Sequence, residues 1–219
     1  GINARKIEFF PQWAEQLFNP VEKKTELLPK KIPQNSFKIM FAGNIGEAQD
    51  FPAILNAAKL LKSEKNIHWI IIGNGRRAEW VKNKIIEYGL QNCFHMVGRH
   101  PLEKMPHFYA LADAMLFSLK DEFIFSITIP AKVQSYLACG KPILAMVNGE
   151  ASSIIKGNDA GYTCDAGDYR SLADNVIKMS GLDNSDLEKM SANSLKCYKI
   201  NFEREMLLRK AEDTFYQTI

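Results

Sequence analysis

The sequence predicts an α/β fold, a Rossmann-like doubly wound parallel sheet with helices on both faces. Three observations carry that expectation. Short apolar runs alternate with amphipathic segments of about ten residues or more, the pattern of βαβ units. Glycine-bearing turns close several of those runs: Gly43-Asn44-Ile45-Gly46, Gly73-Asn74-Gly75 and Gly98. The composition is that of a packed globular protein, with 46% hydrophobic and 24% charged residues over a length of 219.

Each element has its own local reason. Residues 37–42 (Phe-Lys-Ile-Met-Phe-Ala) read as the first strand. Asp50 offers an oxygen to cap the following helix, Pro52 suits its first turn, and Ile54, Leu55, Ala58 and Leu61 recur at helical spacing. Residues 68–72 form the second strand. Residues 78–88 place Val81, Ile85 and Ile86 at helical spacing and stop at Gly89. Residues 93–97 are a third strand, 102–111 a short helix and 114–117 a fourth strand. Pro130 opens a helix that Gly140 ends, and Pro142 forbids its continuation. Residues 143–147 are then a short apolar run suited to a strand covered on both faces. A helix near 150–156, a short strand around Tyr162 and helices over 169–179, 185–198 and 203–216 complete the chain. The last helix carries an apolar stripe of Phe202, Met206, Leu207, Leu208, Ala211 and Phe215.

The charge balance narrows the function classes. A formal net charge of +3 is mild, and no dense Lys/Arg tract marks a nucleic-acid surface. The four cysteines (Cys93, Cys139, Cys164, Cys197) are far apart in or beside apolar segments and read as reduced, packed thiols. The four histidines (His68, His95, His100, His107) show no metal-ligand spacing, so no metal site is expected. The apolar runs are far shorter than a bilayer requires. The expected location is cytoplasmic, or peripheral at the inner face of the plasma membrane.

Residues 128–145 point to a phosphate-bearing ligand. The helix opened by Pro130 follows a loop and precedes a buried strand, so its free N–H groups favour an anion. Lys132 adds a full positive charge in the first turn. The glycines at 43 and 46 would let backbone approach a phosphate, although a strand-to-helix turn without ligand explains them equally well.

The run "I-P-A-K-V-Q-S-Y-L-A-C-G-K-P-I-L-A" over 129–145 resembles the donor-site segment of GT-B glycosyltransferases of the retaining family 4 type. The form is closest to bacterial surface-polysaccharide enzymes, the L-fucosamine-transferase-like group among them. The resemblance implies a UDP-sugar donor, no other cofactor, and a lipid-linked saccharide as acceptor. It places Gly43, Asn44, Ile45, Gly46, Ile129, Pro130, Ala131 and Lys132 at the donor diphosphate, and Gly73, Asn74, Gly75, Arg99, His100 and Ser135 at the nucleoside. Two departures stand out. Where relatives often carry Arg and Lys after the first glycine turn, this chain has Glu47, Ala48 and Gln49. The paired glutamates of the family signature are replaced by Ile127 and Ser135, so the catalytic groups are unknown and are expected on a preceding domain. Ser135, with Gln134 beside it, could touch the ribose weakly or be an ordinary helix serine.

In this resemblance residues 1–36, with "F-F-P-Q-W-A-E-Q-L-F-N-P", are a hinge from a missing N-terminal domain, residues 37–198 the nucleotide-sugar-binding domain, and residues 199–219 a helix returning to the missing domain. The loop over 123–129 is expected to be a buried connector or a lid over the donor sugar. The competing readings are a non-hydrolysing UDP-sugar 2-epimerase and a non-catalytic nucleotide-sugar-binding module.

Overall fold

A computed structural model describes residues 7–216. Residues 1–6 of the expected hinge and 217–219 of the expected final segment lie outside the described residues. Six strands are present: β1 (Phe37–Ala42), β2 (Ile67–Ile72), β3 (Phe94–Gly98), β4 (Ala114–Ser118), β5 (Ile143–Met146) and β6 (Gly161–Cys164). Nine helices accompany them among the described residues: α1 (Phe51–Leu60), α2 (Ala78–Glu87), α3 (Met105–Leu111), α4 (Phe123–Ser126), α5 (Ala131–Ala138), α6 (Glu150–Gly157), α7 (Tyr169–Ser180), α8 (Asn184–Asn201) and α9 (Arg204–Tyr216).

The strands form one sheet in the order β3-β2-β1-β4-β5-β6, with every pairing parallel. This is the doubly wound order, with its switch point between β1 and β4. The alternation of side chains along a strand feeds two separate cores. Met40, Ala42, Ile70 and Ile72 join Phe108 of α3, Val133 of α5 and Ile155 of α6. Ile39, Phe41, Trp69 and Ile71 join Ile54 of α1, Val81 of α2 and Val176 of α7 on the opposite face. With both faces covered, β1, β2, β4 and β5 are buried along their whole length, which is why they read as nearly continuous apolar runs.

Local signals operate as expected at several boundaries. The Asp50 side chain accepts from the Ala53 N–H at the start of α1, and Asp168 does the same for Ser171 at the start of α7. Gly140 takes the left-handed conformation, φ +61°, just after α5. Lys141 then turns back. Its ammonium donates to the carbonyls of Ala110 (3.1 Å) and Ala112 (2.9 Å), closing the C-terminal end of α3. The cysteines are free thiols. Cys93, Cys139 and Cys197 are buried and Cys164 is half-buried.

One expectation changes. Residues 123–126 form a single helical turn instead of a buried connector. Phe123 is 79% exposed, and Ile124 and Ile127 are also exposed. The turn satisfies its own polar groups: Ser126 Oγ donates to the Phe123 carbonyl and Thr128 Oγ1 to that of Ile124. The stripe before and along α9 is partly used within the chain, since Phe202 and Leu207 are buried while Phe215 is exposed. Among the described residues no helix is long and apolar enough to cross a membrane.

Candidate functional site

The carboxyl ends of β1, β2 and β3 are locked together by backbone alone. Gly43 N–H donates to the Ile72 carbonyl (2.9 Å), and Gly73 N–H to the Gly98 carbonyl (2.8 Å). Gly43 and Gly73 both have φ +141°, and a Cβ on Gly73 would overlap the Gly43 carbonyl oxygen. Only glycine permits the two turns to lie backbone on backbone. Ile45 N–H donates to the Asn74 carbonyl (2.9 Å), and Arg77 N–H to that of Ile45 (3.0 Å).

Beside these turns opens a cavity of about 790 Å³. It gathers seven of the residues singled out from sequence: Gly43, Asn44, Gly73, Asn74, Gly75, Arg99 and His100. Six others also line it, Arg76, Met105 and Tyr109 among them, without having been singled out. Ile45 and Gly46 do not face it. Ile45 is fully buried in the core of the α1 face, and the Gly46 N–H is already given to Gln49 Oε1 at 3.0 Å. Of the four N–H groups from 43 to 46, only that of Asn44 has no partner among the described residues. The loop is therefore a shape that admits a ligand more than a ring of free donors.

At the switch point β1 and β4 pair only through Ile39↔Ala114 and Met40↔Met115, then part. The parting would strand the backbone of Ala42. The Tyr136 hydroxyl of α5 occupies the gap. It donates to the Ala42 carbonyl (3.1 Å) and accepts from its N–H (3.2 Å). Burial pushes the Tyr136 phenol well above its usual range, so it stays neutral in this role. The bond fixes α5 against the end of β1.

Fixing α5 sets Lys132 behind the first glycine turn. Pro130 is the N-cap, without a side-chain capping bond, and Ala131 and Lys132 open the first turn. The Lys132 ammonium is buried and has no hydrogen-bond partner among the described residues. It lies 4.4 Å from the centre of the Phe41 ring and 3.1 Å from where a Cβ on Gly43 would stand. It does not line the 790 Å³ cavity but stands behind Gly43, which does. Burial draws its pKa down to about 8. A lysine held this way is neither a solvated surface residue nor a paired core residue. Ile129 faces a second hollow of about 580 Å³, shared with Phe9, Phe10, Gln134 and Glu150. Ser135 Oγ donates back to the Ala131 carbonyl at 3.0 Å, an ordinary bond within the helix.

Six buried side-chain polar atoms lack a partner among the described residues, and four lie at this end of the fold: His100 Nε2 after β3, Ser118 Oγ ending β4, and Lys132 Nζ and Gln134 Oε1 on α5. Buried polar groups are normally satisfied by protein, water or ligand, so the clustering singles out this end of the fold as the candidate site. The other two belong to His68 and His95, stacked on β2 and β3 with Nδ1 of the first 2.9 Å from Nε2 of the second. Burial draws His95 down to about 4, so it is uncharged at neutral pH.

Two adjacent arginines part ways. Arg77 is held by Glu47 (3.1 Å) and stacks on Trp80 (4.2 Å), while Arg76 is exposed at the cavity. Glu47 also reaches Lys120 (3.4 Å), tying the loop after β1 to that after β4. No group of three or more His, Cys, Asp and Glu side chains gathers among the described residues.

Comparisons with known proteins identify the family and the fold. The family described as "Glycosyl transferases group 1" matches residues 23–196. The chain is 31% identical over 195 residues to "Probable glycosyltransferase WbjE" of Pseudomonas aeruginosa, covering 84% of this chain and 46% of that protein. It is 24% identical over 145 residues to "Amylovoran biosynthesis glycosyltransferase AmsK" of Erwinia amylovora, covering 65% of this chain and 36% of that protein. The chain thus spans less than half the length of these relatives. In fold it is similar to Anabaena Alr3699/HepE, solved with UDP and glucose, with a TM-score of 0.73 and 15% identity over 94% of this chain and 55% of that one.

Proposed function

The chain belongs to the glycosyl transferases group 1, and we propose that it holds the nucleoside diphosphate of a UDP-sugar donor while the sugar is transferred to an acceptor hydroxyl. In that reaction the bond from the sugar's anomeric carbon to the diphosphate breaks and a bond to the acceptor oxygen forms. The leaving diphosphate gains charge, which preorganised cations and dipoles must meet. The observation that carries this reading is the Lys132 ammonium, buried without an anion behind Gly43 at the start of α5. A buried charge is tolerated when a partner arrives, and a diphosphate at the switch point supplies one. Arg76 and Arg99 give the neighbouring cavity the same sign. The UDP bound in Alr3699/HepE supports uridine as the nucleoside.

The reading extends to retention of configuration, to a lipid-linked saccharide as acceptor and to a cytoplasmic site of action at the inner face of the membrane, as the resemblance implies. Residues 1–36 are then a hinge and 199–219 a returning helix, joining 37–198 to a second domain. The Lys210–Glu8 contact of 3.3 Å brings these two segments together, and the relatives have the length for a second domain. The 219-residue chain alone is expected to bind donor and not to transfer sugar. Calorimetric titration of the chain with UDP, a panel of UDP-sugars and uridine tests the reading. UDP and at least one UDP-sugar should bind at least tenfold more tightly than uridine. Equal affinity for UDP and uridine, or sustained transfer by the chain alone, would contradict it.

A further inference from the structure

We infer that the nucleotide cavity takes 2′-deoxyribonucleoside diphosphates as readily as ribonucleoside ones, so that the donor class extends to sugars carried on a deoxynucleotide. The inference rests on the nucleotide reading above and concerns what the same cavity can and cannot distinguish.

A ribose diol presents two hydroxyl donors, and a site built to read it places an ionised carboxylate there. Among the described residues lining the cavity none is acidic. The charged side chains are Arg76 and Arg99, which only donate. The carboxylates of the neighbouring loops are engaged elsewhere: Glu47 lies between Arg77 (3.1 Å) and Lys120 (3.4 Å), and Asp121 accepts from the Asn148 amide (2.9 Å). Of the amide oxygens, Asn74 Oδ1 is engaged, accepting from the Gly75 N–H at 2.8 Å, and Asn44 Oδ1 lies beside Gly75. Ser135, the residue that the sequence offered to the ribose, donates within its own helix and is outside the lining.

A site rejects an analogue lacking a hydroxyl when the loss leaves a buried partner unpaired. Here a 2′-hydroxyl has no ionised carboxylate on the lining to leave behind. The acceptors it can meet are uncharged oxygens, such as the Tyr109 hydroxyl, the lining's backbone carbonyls and the open Gln134 Oε1 nearby, and one neutral hydrogen bond changes affinity by no more than about tenfold. Binding depends instead on phosphate charge, met by Arg76, Arg99 and Lys132.

Calorimetric titration of the 219-residue chain with UDP and with 2′-deoxy-UDP, in one buffer, separates the cases. Dissociation constants within tenfold of each other are expected. UDP binding that weakens more than tenfold on removal of the 2′-hydroxyl would overturn the inference and leave the nucleotide reading standing. Failure of both ligands to bind would overturn the nucleotide reading, and this inference with it.

Discussion

The two ends of α5 carry buried lysines nine positions apart, and they differ in one respect. Burial draws both Lys132 and Lys141 down to about 8. Lys141, past the C-terminal end, is satisfied by the carbonyls of Ala110 and Ala112. Lys132, in the first turn, has no such partner and rests on an aromatic face. Burial and titration shift cannot tell the two apart; hydrogen-bond accounting can. A buried cation whose donors are satisfied belongs to the architecture, whereas one left open at a loop-lined crevice points to a ligand that brings the missing charge.

The comparison breaks if the two lysines respond alike to substitution. Lys141→Met should destabilise the fold by about 1.5–3 kcal/mol, the scale of losing charge-assisted hydrogen bonds to buried acceptors. It should leave UDP affinity within about twofold, since this end of α5 faces away from the crevice. Urea unfolding monitored by circular dichroism, paired with a UDP titration, checks both halves. Tyr136→Phe tests the link between the two ends. It strands the Ala42 N–H and carbonyl at the switch point, and about 1–2 kcal/mol of stability should go with it. A smaller loss of UDP affinity should follow as α5 loosens.

A pH series sharpens the contrast further. A bound diphosphate favours the charged form of Lys132 and so raises its pKa above about 8. UDP affinity should be steady below pH 8 and fall as pH rises through it, by at most about tenfold per unit. Lys141 meets the same carbonyls with or without ligand and adds nothing to that slope. In the free protein the buried lysines bind protons less readily than the unfolded chain does, so stability should rise with pH from about 8 to about 9. Above about 9 the buried thiols of Cys139, Cys164 and Cys197, whose pKa burial raises to about 12, 12 and 11, oppose that gain, because the unfolded chain ionises them first. The smallest expected effect is that of a chelator. UDP affinity in EDTA should match that in Mg²⁺ within twofold, and a tenfold gain with metal, about 1.4 kcal/mol, would contradict a site that relies on its own cations.

Most of the fold was legible because both cores advertise themselves. The buried runs of β1, β2 and β5 and the apolar faces of α1 and α2 repeat at the periods their structures require. The one-turn helix at Phe123–Ser126 escaped, being too short for a period and lacking a side-chain N-cap bond. At the site, the glycine turns and Lys132 were visible as residue types at strand ends. Arg76 was not, since nothing in the sequence separates it from Arg77. Trp80 and Glu47 hold one of the pair, and packing alone decides which. The partnership of Tyr136 with Ala42 was equally hidden, because it depends on where β1 and β4 separate. Ile45 and Gly46 show the converse, residues in a suggestive loop whose backbone is already committed.

The central claim is that the unpartnered ammonium of Lys132 awaits a diphosphate. Titrating wild type and Lys132→Ala with UDP and with uridine tests it most directly. A charge-assisted contact of about 1.5–3 kcal/mol predicts that the substitution weakens UDP binding about ten- to a hundredfold. Uridine affinity should barely move, and stability should be unchanged or raised. Equal UDP affinity in the two proteins would contradict the account and remove Lys132 from the site.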